Sequence, residues 1–301
     1  MATCYRHPSR ETGVACSRCE RPICPDCMTP TSVGMRCPEC SGERTEVRRV
    51  SSGGGGAIES LRQQAPATFV LIAINVGIFV FQLVAGGGAT SFDGGGALLR
   101  EGALCGSAVG EGGFCGRETV AGGQFWRVFS SGFLHGGFIH LGLNMFVLFI
   151  LGRLVEPAIG TVRYLAIYFI SLVAGSFGAL LLTDPFVNTV GASGAIYGLF
   201  AATLLIARNR GFDQIVSQLG FWLVLNLVLT FSVPGISIGG HLGGMVGGAI
   251  AALVVLGGER RTFGRNSPGP AEGATLAALW VGFTVASILI AYSATGPGAS
   301  F

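Results

Sequence analysis

The chain is poor in charged residues. Only 12% of its 301 residues are Asp, Glu, Lys or Arg, whereas soluble globular proteins carry about a quarter. Lysine is absent, so all 19 basic residues are arginine, and a net charge of +3 is too small to favour nucleic-acid binding. Because 50% of the residues are hydrophobic, most of the chain is not disordered. The composition instead predicts a membrane protein.

Carboxylates are scarce in the long apolar segments. Nine Asp and Glu residues follow Glu59, and eight of them lie outside these segments or at their ends, while Glu156 closes the second segment. Proton relays and cation sites in membranes usually use buried carboxylates, so this scarcity argues against an ion-coupled transporter. No H-E-x-x-H sequence occurs, which argues against a zinc metalloprotease.

Seven of the nine cysteines lie in the first 40 residues. With one histidine they form four pairs, each separated by two residues: Cys4 and His7, Cys16 and Cys19, Cys24 and Cys27, and Cys37 and Cys40. Four such pairs suffice for two tetrahedral zinc sites. The alternative is a disulfide framework, but an odd number of cysteines and a histidine in the eighth ligand position favour zinc.

The sequence therefore predicts a zinc-binding module over residues 1–40, which depends on its metal to fold, and a flexible Gly-rich linker over 41–66. We expect both zinc ions to be structural. The module is close to neutral, so we expect a purely structural role or a cytosolic protein partner rather than nucleic acid.

Seven apolar segments are each close to the ~20 residues that a membrane span requires: 67–85, 133–152, 164–182, 186–207, 214–232, 236–256 and 274–293. The arginines concentrate in alternate connections, which predicts a plasma-membrane protein with a cytosolic N-terminus and an extracytoplasmic C-terminus. Cys105 and Cys115 then lie outside, either in a disulfide or as two unpaired thiols.

Polar groups recur at one depth in spans two, four and six. His140 and Asn144, Ser193, and His241 lie roughly 8–16 Å below the outer boundary at 1.5 Å per residue. Ionisable side chains in a membrane are costly and mark functional sites, so these histidines and His135 are candidates. The alternative for each is a histidine that is hydrogen-bonded in the bundle interior.

Small residues repeat every four positions in spans four and six: Gly194, Gly198 and Ala202, and Gly240, Gly244 and Gly248. Such stripes let helices approach closely, both for packing and for a serine–imidazole hydrogen bond of about 2.6–3.2 Å. Since no carboxylate lies deep in a span, a Ser193–His241 pair needs another group to orient the imidazole, and Tyr197 is a candidate.

The combined motifs resemble the rhomboid family of intramembrane serine proteases over about residues 67–256. They are Trp126-Arg127, His135-x4-His140-x3-Asn144, Gly191-Ala192-Ser193-Gly194-x2-Tyr197 and Gly240-His241-x2-Gly244. The resemblance implies an all-α, six-span catalytic core at 67–256. Residues 257–301 then supply a cytosolic loop, an added seventh span and a short tail. The N-terminal module resembles a B-box, in which the first and third ligand pairs share one zinc and the second and fourth share the other.

The resemblance also implies the role of each motif residue. Ser193 is the nucleophile and His241 the general base, with no cofactor for catalysis. His140 and Asn144 form the oxyanion hole with the Ser193 backbone N–H. The remaining motif residues support the site: Tyr197 stacks on His241, His135 is structural, Trp126 and Arg127 anchor the first loop, and Gly191 and Gly194 flank the serine.

Three functions are compatible with these motifs. The first is an endopeptidase that cleaves transmembrane protein substrates within the bilayer. The second is a catalytically silent rhomboid-like protein that binds membrane clients, against which the intact Ser193 and His241 argue. The third is a haem or metal protein that uses the three membrane histidines.

Overall fold

The computed structural model describes residues 2–31, 34–42, 63–84, 97–106, 119–182, 188–233, 235–262 and 267–293. The chain divides into two compact units, Met1–Ala57 and Ile58–Phe301. The boundary between them falls inside the predicted linker 41–66. The domain limits predicted from the sequence stay predictions.

The first unit contains two short antiparallel hairpins. Strand β1 (Ala2–Thr3) pairs with β2 (Glu11–Thr12), β3 (Thr29–Thr31) pairs with β4 (Gly34–Arg36), and helix α1 spans Pro38–Gly42. The buried interior consists of five cysteines around one aliphatic side chain, Ile23. Because so small an apolar core contributes little to stability, the cysteines themselves must hold the unit together.

The second unit is a helical bundle. Its helices are α2 (Pro66–Val84), α3 (Ala97–Gly102), α4 (Arg127–Ser130), α5 (Phe138–Ile159), α6 (Thr161–Leu182), α7 (Ser193–Asn209), α8 (Asp213–Ser232), α9 (Ile238–Thr262) and α10 (Pro270–Ser293). Within the described ranges, six of them are long and apolar enough to cross a membrane: α2, α5, α6, α8, α9 and α10. Helix α7 has 17 residues. The protein is a multi-pass membrane protein.

Two helices begin later than their apolar segments predict. Helix α7 starts at Ser193 rather than at 186, because Gly191 has a φ of +118° and Thr189 forms a β-bridge with Leu104. Helix α5 starts at Phe138 rather than at 133, after Gly137 with a φ of +154°. A positive φ is incompatible with an α-helix, so each glycine fixes the helix start. The predicted starts are therefore wrong, and Ser193 is the first residue of its helix rather than about the seventh.

Glycines bring the backbones of α6, α7 and α9 into contact. A Cβ added at Gly175 of α6 would lie 3.0 Å from the Gly240 carbonyl oxygen of α9 and 3.2 Å from Gly194 Cα of α7. A Cβ added at Gly194 would lie 3.3 Å from the same oxygen. Any larger residue at these positions would separate the helices that carry Ser193 and His241.

Glu156 is buried at the end of α5, where it caps α2. Its carboxylate accepts hydrogen bonds from the Ala67 and Thr68 backbone N–H groups at 2.9 and 2.8 Å, and from the hydroxyls of Thr68 and Thr161, both at 2.8 Å. The first N–H groups of a helix have no partners within it, and a negative charge there is favourable. Glu156 thus fixes the start of α2 to α5 and α6.

A buried ion pair attaches the C-terminal helix to the bundle. Arg163 of α6 donates from Nε and Nη2 to the two carboxylate oxygens of Glu272 in α10, at 2.7 and 2.9 Å. Their side chains are only 1% and 3% exposed. This two-pronged geometry fixes the orientation of α10 against α6 as well as the contact.

Candidate active site

The structure brings Ser193 and His241 into hydrogen-bond contact. Ser193 Oγ lies 2.8 Å from His241 Nε2. Ser193 occupies the first position of α7, and His241 lies in the first turn of α9. The two helix starts meet because the facing glycines let α7 and α9 approach closely. A hydroxyl and an imidazole at this distance can exchange a proton.

The His241 ring is held on one face and at its second nitrogen. The Tyr197 ring, one turn after Ser193, stacks on it with centroids 4.1 Å apart and planes 15° apart. Thr230 Oγ1 of α8 lies 2.8 Å from His241 Nδ1 and 2.8 Å from Tyr197 Oη. Sequence reasoning missed Thr230. Its only signal is a hydroxyl in an otherwise apolar stretch of α8, four residues after Asn226.

A space for an oxyanion lies between His140 and Ser193. A Cβ at Gly191 would lie 2.7 Å from His140 Nε2 and 3.8 Å from Ser193 Oγ, so glycine keeps this space open. The Gly136 backbone N–H is 3.4 Å from His140 Nδ1. A bond there makes Nδ1 an acceptor and leaves the ring proton on Nε2, which faces the space.

Asn144 lies one turn after His140 and lines the same cavity. Its amide nitrogen donates to the His140 carbonyl oxygen at 2.8 Å. An amide nitrogen carries two protons, so one remains for a ligand in the cavity. Because Ser193 begins α7, its backbone N–H is also among those that the helix leaves unpaired.

These groups line a cavity of about 480 Å³. Its polar wall contains His140, Asn144, Ser193 and His241. Mostly apolar residues from the region of α5 and α8 also line it. They are Ile139, Leu143 and Val147 of α5, Asn226 and Leu229 of α8, and Val233 directly after α8. The cavity thus combines the polar groups of the site with an apolar lining.

The two predicted first-loop residues, Trp126 and Arg127, do not line the cavity. Arg127 is fully buried, and it donates from Nε to Gln124 Oε1 at 2.6 Å and from Nη1 to the Ala103 carbonyl at 2.7 Å. Trp126 is exposed, and its indole N–H donates to the Glu101 carbonyl at 3.3 Å. The contacts to Glu101 and Ala103 join the start of α4 to the end of α3.

His135 is held by its backbone rather than by its ring. Gln82 of α2 accepts from the His135 N–H and donates to its carbonyl oxygen, both at 3.1 Å. Both ring nitrogens are buried, and neither has a hydrogen-bond partner among the residues that the structure describes. The ring packs edge-on against His140, with centroids 5.2 Å apart. The glutamine was missed from the sequence, because nothing local links residues so far apart.

Two other predictions concern the Cys105–Cys115 pair and a metal site formed by the three membrane histidines. Cys105 is buried, but Cys115 lies outside the described residues, so their disulfide stays a prediction. In the part of the chain that the structure describes, the three membrane histidines do not belong to a cluster that could hold a metal ion.

Two such clusters lie in the first unit: Cys4, His7, Cys24 and Cys27, and Cys16, Cys19, Cys37 and Cys40. In each, the four ligand atoms lie within 4.8 Å of one another. The ligand pairs alternate between the clusters, first with third and second with fourth. Either cluster could hold a metal ion.

The distances within the clusters test whether zinc fits. Tetrahedral bonds of about 2.3 Å to sulfur and 2.0–2.1 Å to nitrogen place neighbouring sulfurs about 3.8 Å apart, and sulfur and nitrogen about 3.6 Å apart. Cys19 and Cys37 sulfurs are 3.8 Å apart, and His7 Nδ1 lies 3.3–3.9 Å from the sulfurs of its cluster. The donor sets therefore fit tetrahedral zinc.

One thiol of the second cluster lies in an environment that favours its thiolate form. The Cys37 backbone N–H donates to Cys16 Sγ at 3.3 Å, and backbone hydrogen bonds of this kind lower the pKa of the Cys16 thiol to about 6. The thiolate, which is the form that binds metals, is thereby favoured.

Comparison with known proteins agrees with the fold. A family model described as "Rhomboid domain" matches residues 122–258. YdcA of Bacillus subtilis is 34% identical over 149 residues, which are 48% of this chain and 74% of that protein. The chain belongs to the rhomboid family. All four motifs from Trp126-Arg127 to Gly240-His241 lie within the matched rhomboid domain.

Two other rhomboid relatives are matched over only part of their length. "Rhomboid protease GluP" of B. subtilis is 31% identical over 191 residues, which are 62% of this chain and 34% of the relative. "RHOMBOID-like protein 5" of Arabidopsis thaliana is 36% identical over 146 residues, which are 46% of this chain and 47% of the relative. The chain therefore spans about a third to a half of the length of these two relatives.

Proposed function

We propose that this protein is an intramembrane serine endopeptidase that hydrolyses peptide bonds in or near transmembrane segments of other proteins. The observation that carries the proposal is the 2.8 Å contact between Ser193 Oγ and His241 Nε2. This contact faces a cavity that also holds unused hydrogen-bond donors. Membership of the rhomboid family supports the same reaction.

In the proposed reaction, His241 Nε2 takes the Ser193 hydroxyl proton as Oγ attacks the substrate carbonyl carbon. The carbonyl oxygen becomes an oxyanion, which accepts hydrogen bonds from His140, the Asn144 amide and the Ser193 backbone N–H. His241 then gives its proton to the departing amine, which leaves an acyl-enzyme. A water molecule, deprotonated by His241, releases the acid product and restores Ser193.

The hydrogen-bond donors of the cavity contribute most in the transition state, when the oxyanion forms. Loss of one oxyanion donor typically costs about 2.7–4 kcal/mol of transition-state stabilisation. Gly191 supports this role, because its missing side chain leaves the space beside His140 empty. Trp126, Arg127 and His135 do not line the cavity and contribute to the reaction only by holding the surrounding segments.

The experiment that tests the proposal combines fluorophosphonate labelling with cleavage of a membrane-embedded model substrate. Wild type should label and cleave, and Ser193→Ala should do neither. Ser217→Ala, an exposed serine of α8, serves as the matched control and should behave like wild type. If wild type labels and cleaves no better than Ser193→Ala, the proposal is wrong. The protein would then bind membrane clients without cleaving them.

We propose that substrates enter between α5 and α8, because apolar residues of both helices line the cavity. A transmembrane substrate must reach Ser193 laterally, and it must unwind locally because helical hydrogen bonds shield its peptide bonds. A reducible cross-link between cysteines introduced at Leu143 and Leu229 should block cleavage, and reduction should restore it. Equal cleavage in both states would exclude this route.

We further propose that the first unit binds two structural zinc ions and lies in the cytosol of a plasma-membrane protein. The arginine-rich connections support this orientation. Elemental analysis should find two zinc ions per chain, one for each cluster. Reporter fusions should place the N-terminus inside and the C-terminus outside. Zinc-free protein that keeps the folded first unit would contradict the metal assignment.

A further inference from the structure

Thr230 is buried where three hydrogen bonds meet. Thr230 is only 2% exposed. Oγ1 lies 2.8 Å from His241 Nδ1, 2.8 Å from Tyr197 Oη and 2.9 Å from the carbonyl oxygen of Asn226, one turn earlier in α8. A threonine hydroxyl has one proton to donate and two lone pairs that accept.

The direction of each bond follows from what each partner is able to do. The Asn226 carbonyl only accepts, so it takes the Thr230 proton. The two lone pairs of Thr230 Oγ1 then accept from the Tyr197 hydroxyl and from His241 Nδ1–H. A neutral imidazole carries a single ring proton. Because this proton is on Nδ1, Nε2 carries no proton and is able to accept one from the Ser193 hydroxyl.

The result is a chain of bonds that runs one way, from the Ser193 hydroxyl through His241 and Thr230 to the Asn226 carbonyl. A general base needs its acceptor nitrogen turned to the nucleophile, and in Ser-His-Asp enzymes a carboxylate enforces that tautomer. Among the residues that the structure describes, no carboxylate lines the cavity. The threonine hydroxyl lies where that carboxylate would bind Nδ1–H.

We propose that Thr230 is the positioning residue that fixes the His241 tautomer and ring orientation. The proposal rests on the proposed protease function, because it assigns a role within that reaction. When His241 takes the Ser193 proton, its Nδ1–H bond to Thr230 persists and holds the ring for proton return to the leaving amine. Tyr197 contributes to the same arrangement through its ring face and its hydroxyl.

The test compares Thr230→Val with Thr230→Ser in the purified full-length protein. Valine keeps the shape but removes the hydroxyl, and we expect kcat to fall about 10- to 100-fold with little change in KM. Serine keeps the hydroxyl and should restore most of kcat. If the valine variant does not fold, the Thr230→Ala and Thr230→Ser pair differs by the same hydroxyl and makes the same comparison.

Thr203→Val is the matched control. Thr203 of α7 is 5% exposed, its hydroxyl donates to a carbonyl one turn earlier at 2.6 Å, and it does not line the cavity. Its substitution removes an equally buried hydroxyl away from the imidazole. We expect kcat of Thr203→Val to stay within twofold of wild type, whatever the change in thermal stability.

Histidine nitrogen NMR provides a readout that a merely structural role would not move. With labelled histidine, wild type should show His241 protonated at Nδ1, and Thr230→Val should shift the tautomer toward Nε2–H. If wild type cleaves normally, an unchanged kcat or tautomer in Thr230→Val overturns the positioning role alone. If wild type and Ser193→Ala are equally inactive, the protease function itself has failed.

Discussion

The contact between α7 and α9 allows a sharp prediction at Gly244. A Cβ added there would lie 2.9 Å from Gly194 Cα and closer still to that residue's carbonyl oxygen, where ordinary contact begins at 3.4 Å. Both neighbouring atoms are backbone, so no side chain is able to rotate away. In Gly244→Ala, α9 must therefore withdraw from α7 by at least 0.5 Å.

The same movement stretches the contact between Ser193 and His241. A withdrawal of 0.5 Å along their line would take the distance from 2.8 to 3.3 Å, beyond the range of a strong hydrogen bond. General-base assistance is worth about 10²–10⁴-fold in rate, so partial loss should slow fluorophosphonate labelling at least about tenfold. Overpacking should also lower the free energy of unfolding by about 1–3 kcal/mol.

Labelling rate and thermal unfolding are measured on the same detergent-solubilised samples. Gly257→Ala is the control, because that glycine also lies in α9 but an added Cβ has nothing within 4 Å. It should label and unfold like wild type. If Gly244→Ala labels at the wild-type rate with unchanged stability, the argument that glycine contact sets the serine–imidazole distance is refuted.

Three further substitutions, Glu156→Gln, Arg163→Ala and Cys16→Ser, probe other buried contacts, and Glu101→Gln and Arg210→Ala serve as controls. Glu156→Gln removes the charge that caps α2 and should lower the free energy of unfolding by about 1–3 kcal/mol, whereas the exposed Glu101→Gln should leave it unchanged. Arg163→Ala leaves a buried carboxylate unpaired and should cost about 3–5 kcal/mol. Arg210→Ala, which breaks a partly exposed pair, should cost about 0–1 kcal/mol. Each is read by thermal or denaturant unfolding, and equal losses in both arginine variants would contradict the burial argument. Cys16→Ser should halve the zinc content found by elemental analysis, and an unchanged content would exclude its cluster as a zinc site.

The sequence alone predicted the fold class because the relevant signals are local. Charge is scarce and apolar segments are long, which suffices to predict a helical membrane bundle. The rhomboid family was recognisable because its motifs depend on residue type and order. The ligand pairs of the first unit were likewise visible as two-residue spacings.

The helix starts were harder to predict from the sequence, since they depend on backbone geometry. Hydropathy continues through residues 186–192, yet α7 begins only at Ser193, after the positive φ of Gly191. An apolar composition alone does not distinguish a helix from a non-helical segment. The first position of α7 for Ser193, and with it the unpaired backbone N–H, follows from this loop.

The residues that complete the site required the tertiary structure. Thr230 reaches His241 from another helix, Gln82 holds the His135 backbone from 53 positions away, and Arg163 meets Glu272 across 109 positions. None of these pairs has a local sequence signature. The amino-acid order thus determined which chemical groups the protein has and which segments are helical. Their partners were decided by how the helices pack, because a hydrogen bond depends on distance in space and not on separation along the chain.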